Sequence, residues 1–304
     1  MKRLVLCLLV ICITVLFIAC SKQDANAKIS IGIISPSIDH LPLSVAIDKR
    51  YLDNNTKVVR FTSGWELQEA IAAGKIDLAI MPFTYAWTAI AKGTKLKIIS
   101  CLERETDGIV AGKEFSGISE LHDKKIGLLR ASTLEVLMQD AAAISNINYR
   151  AVYFRTPTEM VEALKAKQVD AIVSYVPLIQ KLGAEYHVVQ WFSEANQAHP
   201  CCDLVATQSV LSKNTAVIKK IQAALEKAIL DINTPSDGIF KLMNSLYSLD
   251  KEQALDALKH TKFDTKTTEA DKQFELRMMG TFLANDYIKH MPSIHDVYLK
   301  HLPK

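Results

Sequence analysis

The sequence predicts an α/β fold built from two copies of a β-α-β-α-β unit. The stretch 66–82, ELQEAIAAGKIDLAIMP, has the pattern of a short amphipathic helix, a turn and a strand that stops at a proline. The stretch 159–177, EMVEALKAKQVDAIVSYVP, repeats this pattern 93 positions later (159 − 66). The matched pairs are Glu66 with Glu159, Glu69 with Glu162, Ala70 with Ala163, Asp77 with Asp170 and Phe61 with Phe154. Such self-similarity at one spacing indicates a duplicated structural unit.

Strands and helices alternate along both units. The segment 28–34 is almost entirely apolar, as expected for a strand that a parallel sheet buries on both faces. The other predicted strands are 58–61, 76–81, 95–100, 125–129, 149–154, 169–174, 186–191 and a return strand at 203–207. Helices are predicted at 43–50, 83–91 and 134–144 and within both repeats, and Gly74 ends the first repeat helix.

The chain beyond Ser212 is predicted to be entirely helical. Asp250 and Gln253 form a capping pattern for a helix over 251–259. No helix of this tail is expected to present paired acidic groups inward. The tail is therefore interpreted as packing that completes the first half of the protein.

Composition limits the classes of function. The chain has 304 residues, 49% hydrophobic and 23% charged, which suffices for one large or two medium domains with real cores. The formal charge of +3 includes Lys2 and Arg3, whose expected removal leaves about +1 on the mature chain. Without a strongly basic surface, nucleic acid is excluded as a partner.

The start of the chain predicts export. A basic beginning and a run of sixteen apolar residues indicate a signal peptide over 1–19, since a membrane span needs roughly 20 apolar residues. An uncleaved membrane anchor is the competing interpretation. Phe17-Ile18-Ala19-Cys20 resembles a bacterial lipobox with Cys20 as the lipidation site, and the polar segment 20–28 has the composition of a tether. We expect a membrane-anchored lipoprotein at the periplasmic face or the cell surface.

Two stretches carry a family resemblance. Residues 74–82 (GKIDLAIMP) and 199–207 (HPCCDLVAT), together with the strand-helix alternation, resemble the periplasmic solute-binding proteins of ABC transporters. More narrowly, they are similar to the nitrate, sulfonate, taurine and thiamine-pyrimidine (NMT1-like) group. The resemblance implies a two-lobed, type II periplasmic-binding-protein fold, in which each lobe is an open, mostly parallel sheet flanked by helices. Lobe 1 would comprise 28–103 and 204–304, lobe 2 would comprise 104–203, and the two crossings would form a hinge with Cys101, Glu103, Cys201 and Cys202.

The resemblance places the ligand between the lobes. Open parallel sheets also bind ligands beyond the carboxyl ends of their strands. Tyr85, Tyr175 and Trp191 would offer flat apolar faces to an aromatic ring, while hydroxyl groups orient it. The candidate ligand-binding residues are Ser35, Ser37, Asp39, His40, Phe83, Thr84, Tyr85, Arg130, Ser132, Thr133, Glu135, Ser174, Tyr175 and Trp191.

Several polar residues have competing interpretations. Asp77 and Asp170 repeat symmetrically, which favours a capping or turn role over a catalytic carboxylate pair. Arg130 either clamps an anionic ligand or pairs with Glu135 or Asp39. His40 either bonds a ligand or only begins a helix. The tryptophans Trp65 and Trp87 are interpreted as packing residues, although Trp65 follows a helix start that would let it reach the cleft.

The segment His199-Pro200-Cys201-Cys202 combines imidazole and thiol groups, which favour soft transition metals. It lacks the four-ligand spacing of a structural zinc site, so neither a metal nor a cofactor is expected. The adjacent cysteines are interpreted as small buried hinge residues. An odd count of three cysteines beyond the tether argues against a disulfide scaffold, yet Cys101 could pair with Cys201 or Cys202 if the crossings run side by side.

The resemblance implies a monomeric binding protein rather than an enzyme, which captures a small organic solute and presents it to an ABC permease and its ATPase. Aromatic residues together with Asp39 and Glu135 favour a nitrogen heteroaromatic such as a thiamine pyrimidine precursor. An oxyanion such as a sulfonate, taurine or nitrate is the alternative, supported by Arg130 and the helix N-termini. Two rival hypotheses are a pyrimidine-synthase-like enzyme of the same fold with bound iron, and a surface lipoprotein acting as an adhesin or decoy.

Overall fold

The structure, a computed structural model, describes residues 28–52 and 55–300 and contains two β-sheets. The first sheet contains β1 (Ile29–Ile34), β2 (Thr56–Phe61), β3 (Leu78–Pro82), β4 (Leu96–Arg104), β10 (Pro200–Thr207) and β11 (Lys262–Phe263). The second contains β5 (Asp107–Gly112), β6 (Lys125–Leu129), β7 (Arg150–Phe154), β8 (Ala171–Tyr175) and β9 (Tyr186–Trp191). The predicted signal peptide and the lipidation site Cys20 lie outside the described residues.

Helices follow most of the strands. They are α1 (Leu41–Asp48), α2 (Gly64–Ala72), α3 (Phe83–Ala91), α4 (Thr133–Ile144), α5 (Pro157–Lys165), α6 (Gln208–Lys213), α7 (Thr215–Asn233), α8 (Asp237–Tyr247), α9 (Lys251–Lys259), α10 (Glu269–Ala284) and α11 (Ile294–Val297). Short 3₁₀ turns occur at Ile118–Leu121, Ile179–Lys181 and Phe192–Glu194. Among the described residues, no helix combines the length and apolar character that crossing a membrane requires.

Both sheets have the same arrangement. Their strand orders are β11-β4-β10-β3-β1-β2 and β7-β6-β8-β5-β9. In the first sheet β1 is parallel to β2 and β3, and β10 is inserted antiparallel between β3 and β4. In the second sheet β6 is parallel to β7 and β8, and β5 is inserted antiparallel between β8 and β9. The predicted α/β fold with two sheets flanked by helices is therefore confirmed, but both sheets are mixed rather than mostly parallel, because each contains an inserted antiparallel strand.

The chain crosses between the sheets twice, from β4 to β5 and from β9 to β10. At the crossings β4 and β10 are neighbours, with Glu103 opposite Cys202 and Cys101 opposite Asp203. The crossings therefore do run side by side. Nevertheless Cys101, Cys201 and Cys202 are all buried free thiols, so the disulfide that the sequence left open does not form in this structure.

Each of the two repeated aspartates accepts hydrogen bonds from a neighbouring strand of its own sheet. The Asp77 carboxylate accepts hydrogen bonds from the Ser30 backbone N–H at 2.9 Å and the Ser30 hydroxyl at 2.6 Å. Its counterpart Asp170 accepts one from the Lys125 N–H at 2.8 Å. Asp77 thus ties the strand of its repeat to β1, and Asp170 ties the strand of its repeat to β6. Their role is structural, as expected, but it is a link between strands and not the predicted cap or turn.

The first sheet packs tightly against its repeat helix. A Cβ added at Gly32 in β1 would lie only 2.3 Å from Cδ1 of Leu67 in α2. Leu67 is fully buried in the apolar cluster that also holds Ile71 and Phe83. Gly32 therefore permits the close approach of helix and strand at this position.

The tail differs from its prediction in two ways. The strand β11 interrupts the helices by pairing antiparallel with the end of β4, whose strand continues four residues beyond its predicted end at 100. In addition, α10 carries Asp271 and Glu275 on its inward face, and both are buried. The prediction of no inward acidic pair was wrong because partners from distant parts of the chain compensate both groups.

Those partners are specific. Asp271 forms a bidentate ion pair with Arg104, with an Nη2–Oδ2 distance of 2.8 Å. Glu275 accepts a hydrogen bond from the Trp87 indole N–H at 2.8 Å and another from the Tyr298 hydroxyl. Burial raises the pKa of Glu275 to about 7, although these two hydrogen bonds act in the opposite direction.

Candidate ligand cleft

A cavity of about 60 Å³ lies between the two sheets, which we call the cleft. Nine residues of its lining belong to the predicted set: Ser37, Asp39, Tyr85, Glu103, Ser132, Thr133, Tyr175, Cys201 and Cys202. Trp65, interpreted chiefly as a packing residue but able to reach the cleft, also lines it. The remaining lining residues were not selected from the sequence: Ile34, Ser63, Gly64, Pro82, Thr106, Asp107, Leu129, Leu134, Phe154, Arg155 and Pro157. Residues from both sheets therefore meet at one cavity, and the crossings form part of its wall.

Eight predicted ligand residues lie outside this lining, namely Ser35, His40, Phe83, Thr84, Arg130, Glu135, Ser174 and Trp191. Adjacent residues at the end of a strand or helix point in different directions. A residue next to one that lines the cavity can therefore point away from the cavity. Phe83 is fully buried in the core of the first sheet. His40 packs edge-on against Tyr247 with 5.9 Å between ring centroids, and Trp191 stacks on His260 at 3.9 Å.

Glu135 and Arg130 connect the two halves of the molecule instead of lining the cleft. The Glu135 carboxylate accepts hydrogen bonds from the Tyr153 hydroxyl at 2.6 Å and the Tyr287 hydroxyl at 2.9 Å. The exposed Arg130 guanidinium lies over the rings of the same two tyrosines. The two tyrosines thus separate Glu135 from the predicted ion pair with Arg130, while the alternative role of Arg130 as an anion clamp stays a prediction.

Three buried carboxylates, which we call the acidic wall, face the cleft: Asp39, Glu103 and Asp107, each 1% exposed. Asp39 Oδ1 lies 3.0 Å from His40 Nδ1, but Asp39 Oδ2 has no partner. Glu103 Oε1 and both carboxylate oxygens of Asp107 also lack hydrogen-bond partners. Burial and the neighbouring Asp107 raise the pKa of Glu103 well above its usual value. The wall thus presents unsatisfied acceptors on Asp39 and on Asp107, whose Oδ2 lies 3.6 Å from His199 Nε2, whereas the raised pKa of Glu103 favours its protonated form, which can also donate.

Two helix starts also line the cleft. Ser63 caps α2 by accepting from the Glu66 N–H at 3.3 Å, and Ser132 caps α4 by accepting from the Glu135 N–H at 3.3 Å. The first-turn residues Gly64 and Thr133 line the cavity. Because first-turn N–H groups have no partner within their helix, these starts offer hydrogen-bond donors to a ligand. Thr133 also reaches across the cleft, with 3.2 Å between its hydroxyl oxygen and that of Thr84.

Aromatic rings supply the apolar part of the lining. Trp65 and Tyr85 meet edge to face with ring centroids 5.8 Å apart. A Cβ at Gly64 would lie 2.1 Å from the Tyr85 ring, so the ring rests directly on this helix start. Phe154 and Tyr175 line the cleft from the second sheet. Trp65 therefore belongs to the cleft, whereas Trp87, with its side chain fully buried, is a packing residue as predicted.

The adjacent cysteines Cys201 and Cys202 form a thiol pair at the crossing, with 3.7 Å between their sulfur atoms. Together with Glu103 they constitute a group of possible metal ligands whose donor atoms all lie within 4.8 Å of one another. Burial raises the pKa of the Cys202 thiol well above its usual value. Cys101 lies outside the cleft, and its thiol is directed to the backbone oxygen of Glu103 at 3.7 Å.

The residues that sequence reasoning missed had one available signal. The 93-residue offset pairs Ser63 and Gly64 with Thr156 and Pro157, which begin the two repeat helices. Placing the start of one repeat helix at the cleft therefore predicts the same place for the start of the other. The offset also extends to Phe154, which lines the cleft. Asp107 had no such signal, because its position depends on how the chain crosses from one sheet to the other.

Solved structures share this fold at low sequence identity. A ligand-binding component of an ABC-type import system from Staphylococcus aureus, with zinc bound, has a TM-score of 0.77 and 17% identity, covering 89% of this chain and 96% of that one. The periplasmic aliphatic sulphonate binding protein of Escherichia coli has a TM-score of 0.77 and 19% identity, covering 90% and 92%. The periplasmic nitrate-binding protein of Synechocystis PCC 6803 has a TM-score of 0.71 and 14% identity, covering 89% and 84%.

Comparison with curated protein sequences finds no significant match. A family model described as NMT1/THI5 like matches residues 37–236. This range contains both repeats, both crossings and every described residue of the cleft lining except Ile34. Since the model matches well over half of the 304 residues, the chain belongs to the NMT1/THI5-like family.

Proposed function

We propose that this protein is the substrate-binding protein of an ABC importer and captures a small organic solute between its two lobes. The family, the fold and a cleft lined from both sheets support this role. The lobes would be 28–103 with 204–304 and 104–203, turning about the crossings at Glu103 and Cys202. Export and lipid anchoring through Cys20 complete the proposal and rest on the sequence motif.

The acidic wall carries the proposal for the solute. Its unpartnered carboxylate oxygens require hydrogen-bond donors, and four aromatic rings require a flat apolar partner. We therefore propose a nitrogen heteroaromatic with N–H donors or positive charge, such as an amino-substituted pyrimidine. An oxyanion is less compatible, because Arg155, the single cation among the described lining residues, is exposed at the rim while three carboxylates are buried.

The helix starts complete the recognition. The donors at Gly64 and Thr133 suit an acceptor group or a negative charge on the solute, which the acidic wall would not bind. A ring with donors on one side and acceptors on the other would thus contact both lobes. This matters for transport, since a solute drives closure only if it binds the closed form better than the open one.

The lobes must separate before such a solute enters. The cleft of about 60 Å³ is far smaller than the roughly 300–1,000 Å³ of most ligand pockets. The structure also joins the lobes directly, as in the contact between the Ile38 N–H and the Val176 oxygen at 3.3 Å. The described arrangement therefore corresponds to a closed form.

A thermal-shift screen tests the proposal with aminopyrimidines, flavins, amines, sulfonates and nitrate. The cognate solute at about 100 times its Kd should stabilise the protein by about 2.7 kcal/mol. The variant Asp107→Asn should weaken its affinity by about 2–5 kcal/mol, because a buried charged contact loses its partner. Because Asp107 Oδ2 also lies 3.6 Å from Nε2 of the buried His199, the melting temperature of the solute-free variant is measured in parallel, to separate lost affinity from lost stability.

Two control variants separate the heteroaromatic from the oxyanion. Asp48→Asn changes an exposed carboxylate at the end of α1 and should leave solute affinity unchanged. Arg155→Ala should retain binding of a heteroaromatic, whereas a sulfonate or nitrate site would lose most of its affinity. Stabilisation by sulfonate or nitrate alone, abolished in Arg155→Ala, would replace the heteroaromatic proposal with the oxyanion.

A further inference from the structure

We propose that Cys201, Cys202 and Glu103 form a three-ligand site for a soft divalent cation of the Zn²⁺ class, with its fourth coordination position open to the cleft. The inference rests on the geometry at the crossing and does not depend on which solute the cleft binds. It departs from the expectation, drawn from ligand spacing in the sequence, that the cysteine segment binds no metal.

The distances suit tetrahedral coordination. With Zn–S bonds of about 2.3 Å, two thiolates on a tetrahedral ion lie about 3.8 Å apart. The sulfur atoms of Cys201 and Cys202 are 3.7 Å apart, and a carboxylate oxygen of Glu103 lies within 4.8 Å of both. An ion placed among the three donors would reach all of them with small side-chain adjustments.

A strand irregularity brings the two thiols together. In a regular strand, adjacent side chains point to opposite faces, so neighbouring cysteines would not share a ligand. The pairing of β10 with β4 shifts register between Pro200 and Cys202 and again between Cys202 and Asp203. This bulge turns both thiols toward the cleft, and bulges of this kind often re-aim side chains beside functional sites.

The donor set is buried and incompletely satisfied. Cys201, Cys202 and Glu103 are 5%, 3% and 1% exposed, so little water competes with them. Glu103 Oε1 has no hydrogen-bond partner although it is enclosed. Two sulfur donors and one carboxylate match the preference of Zn²⁺, and three protein ligands with an open position are the arrangement in which zinc binds an exchangeable fourth ligand.

Cys101 provides an internal comparison. It is a buried thiol on the strand beside the thiol pair, yet it does not line the cleft and does not belong to the group of possible ligands. Replacing Cys101 with serine removes a buried thiol but none of the three proposed metal ligands. Cys101→Ser is therefore the matched control for Cys201→Ser and Cys202→Ser.

Titration of the reduced, metal-free protein with Co²⁺ and then Zn²⁺, with no solute present, tests the site. We expect one equivalent of Co²⁺ to produce thiolate-to-metal charge-transfer absorption that Zn²⁺ abolishes. Cys201→Ser and Cys202→Ser should each weaken Zn²⁺ binding at least about 100-fold, because even outer-shell partners are worth roughly 10–100-fold. Cys101→Ser should bind as the wild type does, and Glu103→Gln should weaken binding while keeping the charge-transfer absorption.

X-ray absorption at the zinc edge of the wild-type protein tests the same site without depending on whether a variant folds. We expect two sulfur ligands at about 2.3 Å and oxygen or nitrogen ligands at about 2.0 Å. Absence of sulfur from the first shell, or zinc binding that survives both cysteine substitutions, would overturn the inference. Such a result would leave the proposed solute role intact, and failure of the solute screen would leave the zinc result intact.

Discussion

The two copies of the repeat share a scaffold but present different surfaces to the cleft. Each helix is capped by the side chain of the residue at its start, Ser63 in the first copy and Thr156 in the second. Each helix is followed by a left-handed residue at the same offset, Gly74 with φ of 68° and Lys167 with φ of 56°. The left-handed backbone conformation is thus the same in both copies, although glycine, the residue that adopts it most easily, occurs only in the first.

The surfaces of the two copies differ one residue after the cap. The first copy has Gly64, on which the Tyr85 ring rests, and the second has Pro157. Caps and strand ties determine whether the unit forms, so both copies keep them. Residues facing the cleft contact the other lobe or the solute, so they differ between copies without loss of the scaffold.

A buried carboxylate of the first lobe sets the largest effect that we predict for stability. The first sheet is covered by α10, whose Glu275 has a pKa raised by burial to about 7 from an ordinary 4.5. Between pH 4.5 and 7 the folded protein keeps a proton that the unfolded chain has released. Stability should therefore fall as pH rises through this window, by up to about 3 kcal/mol from this group.

Chemical denaturation between pH 4.5 and 8 measures this slope. Glu275→Gln should reduce it, although Asp203, whose pKa burial and Glu275 also raise, keeps part of it. Glu269→Gln, an exposed change on the same helix, is the control and should leave the slope in place. If the dependence of stability on pH were unchanged in Glu275→Gln, protonation of Glu275 would not be its cause, and the prediction would be wrong.

The strand ties distinguish the two copies more finely. Asp77→Ala removes two hydrogen bonds to Ser30, whereas Asp170→Ala removes one to Lys125. We expect both variants to be destabilised and Asp77→Ala to lose about 1.5–3 kcal/mol more, the value of one hydrogen bond to a charged group. Urea denaturation of the two variants side by side measures the difference. Equal losses would mean that the two ties are energetically equivalent despite their geometry.

The contact that joins the lobes should have the smallest effect. Tyr287→Phe removes a hydrogen bond to Glu135 that crosses from the first lobe, where Tyr287 packs against the core, to the second. Because Tyr287 is only half-buried, water can replace part of this bond, and we expect its loss to cost about 1 kcal/mol. Solute affinity should then fall roughly fivefold through weaker closure. Tyr153→Phe removes a bond to the same carboxylate from within the second lobe and should leave affinity unchanged. Isothermal titration with the cognate solute measures both, and equal effects would exclude a role of Tyr287 in closure.

Local patterns predicted the elements well where they carry their own start and stop signals. The helices predicted at 83–91 and 251–259 have those bounds in the structure, the second with the expected capping box of Asp250 and Gln253. The return strand instead begins at Pro200, three residues before its predicted start at 203, because pairing with β4 extends it. The end of a strand depends on pairing with a neighbouring strand that is often distant in sequence. The ends of these two helices depend instead on residues close to them in the sequence.

The sequence by itself determined the duplication, the α/β alternation and the structural role of Asp77 and Asp170, because these follow from periodicity and spacing along the chain. Only the tertiary structure decided that Asp107 joins Asp39 and Glu103 in one acidic wall and that Cys201 and Cys202 turn to the same side. The physical reason is that crossings and bulges fix directions in space through contacts between distant segments. No local pattern encodes those directions.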